Sequence, residues 1–223
     1  MQVARRTRMV IMRDDSETEA MQSGTADDLA IIEAARADPL AFAPLYQRYA
    51  PLILRYCQRE LGNAEHANDA TSQTFIKAIG ALHRFTPVRD HPGAMFRSWL
   101  FTIAHNVIID QRRRHKGHLS LDSEPTQTWL NSNEYLTDRN ATPEDLAVSR
   151  DIANQVRAML ERLPDRQRQI VELRLLGLSG IEIAEVVGAT HGAVKAAQAR
   201  AYSTLRDLLR DQHLHSETDH DAF

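Results

Sequence analysis

Apolar positions recur every three or four residues over most of this chain, and this spacing predicts helices rather than strands. Asp27 reads as an N-cap before Leu29, Ile31, Ile32 and Ala35, and Pro39 ends that element. A second helix is predicted over 40–61, on Phe42, Leu45, Tyr49, Leu52, Ile53 and Tyr56, with Gly62-Asn63 as its stop. A third follows over 64–82, with Ala67, Ala70, Phe75, Ile76 and Ile79 as its apolar stripe. After a loop holding Pro87, Pro92 and Gly93, a fourth is predicted over 94–114, on Phe96, Trp99, Leu100, Ile103, Ala104, Val107 and Ile108. The period then disappears over 117–143, a stretch rich in Ser, Thr, Asn and Asp that reads as a linker.

Helical spacing resumes over 144–162, on Leu146, Ile152, Val156, Met159 and Leu160. Asp165 reads as the cap of a helix over 166–176 that Gly177 closes. Ser179 with Glu182 fits a capping box, and Thr190 caps a last helix that continues to Arg210. The expected fold is all-α, with two small helical domains joined by a flexible acidic linker. Residues 1–26 read as a disordered tail, 27–116 as a four-helix domain, 144–211 as a second helical domain and 212–223 as a short tail.

The second domain contains a helix-turn-helix spacing. Ala184 is small enough for two helices to cross closely, Gly188 supplies a positive φ in the turn, and Val194 packs back into the angle between the helices. With Val194 inward, Gly192, Ala196, Ala199 and Ser203 face outward. Lys195 and Arg200 flank that face, and His191 stands at its leading end. The candidate duplex-binding residues are therefore His191, Lys195, Ala196, Ala199 and Arg200. The face is poor in long base-reading side chains, so phosphate contact and close approach suit it better than a dense base code.

The net charge of −3 does not mark a nucleic-acid binder, but the distribution of charge does. Arg97, Arg112, Arg113, Arg114 and Lys116 stand against a single acid, Asp110, and the linker that follows is acidic. The single cysteine, Cys57, excludes an internal disulfide and reads as a buried thiol. No apolar run approaches the ~20 residues of a membrane span, so no membrane insertion and a cytoplasmic location are expected. No paired carboxylates, nucleophile motif, Gly-rich phosphate loop or metal-ligand spacing is present, so neither catalysis nor a cofactor is expected. His213, His215 and His220 in the tail read as solvated rather than metal-binding.

The run WLFTIAHNVIIDQRRR, from Trp99 to Arg114, joins an aromatic stripe to a basic end, a combination suited to holding single-stranded nucleic acid. It resembles the promoter-melting segment of bacterial RNA polymerase sigma factors of the sigma-70 family, extracytoplasmic-function group. The run from Leu160 to Ala201 resembles that family's C-terminal promoter-binding domain, and Ala67 to Phe75 resembles its polymerase-docking segment.

The resemblance implies a sigma factor that binds core polymerase and directs it to promoters. The N-terminal domain would dock on the β′ clamp helices, with Asp69, Gln73 and Lys77 as candidates. It would open the −10 element with Trp99, Asn106, Arg112 and Arg113, and the 84–94 loop would capture an extruded base. Trp99 reads either as a wedge at the melted junction or as a core residue. The C-terminal domain would bind the −35 duplex and the β flap, and an anti-sigma partner is implied. Three departures from the family pattern stand out: Ser72 where Gln is commoner, a loop before Trp99 about five residues longer, and Ala197 where the recognition helix often has Arg. The alternative is a helix-turn-helix regulator that acts without polymerase.

Overall fold

The computed structural model describes residues 26–86, 92–116 and 154–218. Every regular element among them is helical. Helix α1 is Ala26–Ala37, a 3₁₀ turn follows at Pro39–Phe42, α2 is Ala43–Leu61 and α3 is Ala64–Ala81. A short 3₁₀ turn, Leu82–Arg84, precedes α4 at Pro92–Lys116. Beyond the linker, α5 covers 154–161, α6 is Asp165–Leu175, α7 is Gly180–Val186 and α8 is His191–Thr218. The linker, the N-terminal tail and residues 87–91 of the 84–94 loop lie outside the described residues, as does the histidine tail at side-chain level.

Local chemistry explains most boundaries. The Asn63 side chain accepts the His66 N–H at 3.0 Å and starts α3. Gly62 (φ 69°) closes α2 in the left-handed region that glycine adopts without penalty. The capping box is complete: Ser179 N–H donates to Glu182 Oε2 at 2.7 Å, and Glu182 N–H donates to Ser179 Oγ at 3.3 Å. Ala193 N–H reaches Thr190 Oγ1 at 3.2 Å, as expected of the last cap. Two expected caps are corrected. Asp27 lies inside α1, whose first residue is Ala26. Asp165 is the first residue of α6; Pro164 is its cap, and the Asp165 carboxylate instead pairs with Arg168 at 2.5 Å.

The N-terminal half packs around an aromatic cluster. Phe42, Phe75, Tyr49 and Phe85 surround Phe96 or one another edge-on, with ring centroids 5.5–6.4 Å apart, an arrangement that adds to the burial of apolar area. Buried Asp28 accepts from the Tyr49 hydroxyl at 2.5 Å and from Arg48, which ties α1 to α2. Cys57 is buried as expected, and burial pushes its thiol up to about 12.

The expected stripe of α3 is wrong at two positions. Thr71, Thr74 and Ala78 complete the buried face with Ala67, Ala70 and Phe75, whereas Ile76 is 69% exposed and Ile79 40%. The hydroxyls of Thr71 and Thr74 donate to the carbonyls four residues back at 2.7 Å, so they can be buried without an unpaired polar group. Leu40 is also exposed, in the 3₁₀ turn before α2 rather than in the helix.

The two halves do not stand apart. Buried apolar residues of α1–α4 and of α6–α8 form one continuous cluster, to which α4 contributes Phe101 and Ile108 and α7 contributes Ile183 and Val186. A smaller cluster of Met159, Leu160, Leu163, Val171, Ala201 and Leu205 holds α5, α6 and α8 together. Inside the seam between α4 and α7, Arg97 donates two hydrogen bonds of 2.7 Å to the Glu182 carboxylate. Both side chains are buried. Removing one partner of such a pair leaves a charge without compensation and typically costs about 3–5 kcal/mol.

Candidate nucleic-acid interface

The helix-turn-helix geometry follows from the three positions named for it. Ala184 is buried where α7 meets its neighbours, and Val194 is buried on α8. Gly188 has φ 60°; Ala189 N–H donates to Ala184 O at 2.9 Å across the turn. An added Cβ at Gly188 would meet nothing within 4 Å, so only the backbone conformation demands glycine there.

Among the described side chains of α8, the buried ones are Val194, Ala197, Ala201 and Leu205. This leaves His191, Gly192, Lys195, Ala196, Ala199 and Arg200 exposed together, the face expected from setting Val194 inward. Ala197 departs from its expected role. It is buried in the packing seam, so the missing Arg at that position costs this helix no surface contact. The His191 ring lies against the Gly180 backbone: a Cβ on Gly180 would stand 2.9 Å from His191 Nε2. The start of α8 therefore lies close to the start of α7.

Helix α4 presents two different faces. On one, Arg97, Phe101, His105 and Arg112 point toward the C-terminal half or toward α2. On the other, Trp99 and Ile103 are half-buried, and Asn106 and Arg113 are exposed. Trp99 is half-buried, so it belongs to the core only in part. One side of its indole packs on Phe85 and Phe96, with centroids at 5.0 and 5.6 Å, and the rest meets solvent.

The basic patch is smaller than its sequence suggests. Arg97 is spent on Glu182, and Arg112 donates to Glu60 Oε2 at 2.6 Å and to the Glu60 carbonyl. Of the expected strand-contact residues, Asn106, Arg112 and Arg113 are all exposed and Trp99 is half-buried, with Arg112 held by Glu60.

The docking candidates on α3 share one face. Asp69 and Lys77 are exposed and Gln73 is half-buried, with Lys77 Nζ 3.8 Å from Asp110 Oδ2 on α4. Exposed Ile76 lies on the same face, and half-exposed Tyr46 packs its ring on Phe75 at 4.7 Å. Sequence reasoning missed these two apolar residues as surface groups. Ile76 satisfied the helical period, and the period alone does not separate it from the buried stripe.

Where the two halves meet, the Tyr56 hydroxyl lies 3.0 Å from His105 Nδ1, and Gln169 Nε2 lies 3.3 Å from the hydroxyl and 3.2 Å from the same ring nitrogen. Burial and the Arg112 charge lower the His105 pKa. Glu172 on α6 is buried, and burial pushes its carboxyl up to about 7. Nearby Arg59 opposes that rise, Glu60 adds to it, and Arg168 and Arg112 weaken it. Among the described residues no His, Cys, Asp and Glu group has a metal-holding arrangement.

Comparison with known proteins agrees with this architecture. Residues 45–118 match the family model for Sigma-70 region 2, and residues 153–205 match the model for Sigma-70 region 4. The chain is 33% identical over 183 residues to the ECF RNA polymerase sigma factor SigW of Bacillus subtilis, covering 81% of this chain and 95% of that protein. It is 35% identical over 197 residues to the ECF RNA polymerase sigma factor BldN of Streptomyces coelicolor, covering 86% and 69%. Among solved structures, CnrH in complex with the cytosolic domain of CnrY is similar at 26% identity and a TM-score of 0.56, over 83% of this chain and 98% of that one.

Proposed function

The chain belongs to the sigma-70 family, as an extracytoplasmic-function RNA polymerase sigma factor, and from that premise we propose which surfaces carry its three tasks. Core polymerase docks on α3, through Asp69, Gln73 and Lys77 with Ile76 at the centre of the contact. An exposed isoleucine ringed by polar groups supports this reading, because interfaces join an apolar centre to a polar rim. The clamp helices of β′ are the proposed partner of this face. The β flap is the proposed partner of the C-terminal half.

The −35 duplex lies against the outward face of α8. Lys195 and Arg200 neutralise phosphates, and Ala196 and Ala199 allow close approach to the groove. The −10 strand lies along the Trp99, Asn106 and Arg113 face of α4, where an indole edge beside exposed polar and cationic groups suits an unstacked base. Base extrusion costs a few kcal/mol, which these contacts must offset. The observation that carries this assignment is the division of α4 into one face packed against protein and one face left open. No catalysis is part of the proposal. An anti-sigma partner is proposed by analogy with CnrH, whose structure was solved with CnrY. Among the described residues no helix is long and apolar enough to cross a membrane.

Run-off transcription with core polymerase tests the reading. Transcripts from a defined start that appear only when this chain is added are expected. A chain that binds duplex DNA but neither joins core polymerase nor directs initiation would overturn it.

A further inference from the structure

We propose that the free chain rests in a closed state latched by Arg97 and Glu182, and that loading onto a promoter with polymerase requires this latch to open. The two residues are 85 positions apart and belong to different halves. Glu182 accepts both arms of the Arg97 guanidinium while still accepting the Ser179 N–H that starts α7. A forked pair of this kind is satisfied in one relative orientation only, so it selects a single docking pose from the many that apolar contact alone would allow. The cluster of Tyr56, His105 and Gln169 fixes a second point of the same seam.

Closing does not hide the DNA-facing surfaces. Lys195, Arg200, Asn106 and Arg113 are all exposed in the closed chain. The obstacle is distance. Two promoter elements about 25 base pairs apart are separated by roughly 85 Å of duplex. A folded body of this size is roughly 40 Å across. The chain between Lys116 and residue 154 can span roughly 120 Å when extended, so it permits the separation that the latch forbids. The latch itself is independent of the sigma-factor assignment. Its link to promoter loading rests on that assignment.

The test uses the full chain with Ala37→Cys and Asp207→Cys, two exposed positions on α1 and α8, labelled as a single-molecule energy-transfer pair. Cys57 is buried with a raised pKa and does not compete for label. The free chain is expected to give one high-transfer population. Arg97→Ala should raise the ratio of open to closed molecules by roughly tenfold or more, and Arg97→Lys, which cannot form the fork, should fall between. Adding core polymerase should move the unlatched and latched chains alike to low transfer.

A low-transfer distribution in the free chain with Arg97 intact overturns the latch without recourse to any latch variant. So does an Arg97→Ala chain that keeps its helical circular dichroism and an unchanged ratio. High transfer retained in the polymerase complex overturns the link to loading. If the chain does not bind core polymerase at all, the sigma assignment fails while the free-chain measurements still decide the latch.

Discussion

Raising the pH should open the chain, through Glu172. Its carboxyl is buried at the seam, and burial raises its pKa to about 7. When the halves separate, water reaches the group and its pKa returns toward the ordinary value near ~4.3. The closed state therefore binds a proton that the open state releases. An acid with a raised pKa stabilises the state holding it below that pKa, and the benefit is lost as pH rises through it. With a closed-state value of about 7, the closed-to-open ratio should fall about fourfold between about pH 6.5 and 8.5, or ~0.8 kcal/mol.

The window starts at ~6.5 because His105 acts in the opposite direction below it. Its pKa is lowered at the seam, so protonation in more acidic solution disfavours closing. Arg59, Glu60, Arg112 and Arg168 are the other charged groups that face Glu172. The labelled chain, titrated over the same range, reads the ratio directly. Glu172→Gln should give a flat response. A wild-type ratio that holds constant or rises with pH, or a Glu172→Gln chain that keeps the slope, would refute the reasoning.

Gly188→Ala should lower the stability of the C-terminal half by about 1–2 kcal/mol in urea unfolding, because its φ of 60° penalises a Cβ that otherwise has free space. Gly188→Asn should cost less, and an Ala variant as stable as wild type would contradict the argument. Gly180→Ala places a Cβ 2.9 Å from the His191 ring, which must swing away. If His191 contacts the −35 duplex, this variant weakens duplex binding as much as His191→Ala does, and the two changes together add little; full additivity would exclude a shared cause. Lys195→Ala should reduce the slope of affinity against salt by about 1 and weaken all sequences alike if it reads phosphate. A loss of ~1–3 kcal/mol confined to particular sequences would assign it to a base instead. Arg113→Ala should slow promoter opening while leaving core binding intact, whereas Arg112→Ala should chiefly loosen α2 from α4, since Arg112 is tied to Glu60. Equal loss of opening and core binding in Arg113→Ala would remove it from the strand-contact role.

What the sequence alone determined was local. The capping box of Ser179 and Glu182, the Thr190 cap, the glycine turns and the inward setting of Val194 each depend on groups within a few residues of one another. Backbone N–H groups at helix starts and positive φ values at helix ends can be met by only a few residue types, so these features are legible in one dimension. The all-helical class was legible for the same reason: a three-to-four period leaves little else to form.

Tertiary structure decided where those helices were covered. Ile76 and Thr74 both fit a helical stripe, and only the packing of α2 and α4 against α3 put the threonine inside and the isoleucine outside. Arg97, Arg112 and Arg113 are equivalent as sequence, yet one is buried on Glu182, one is held by Glu60 and one is exposed. Ala197 looked like a missing DNA contact until its neighbours made it part of the core. A charge or an apolar group acquires its role from a partner that can lie 85 residues away, and no local hydrogen-bond demand or period names that partner.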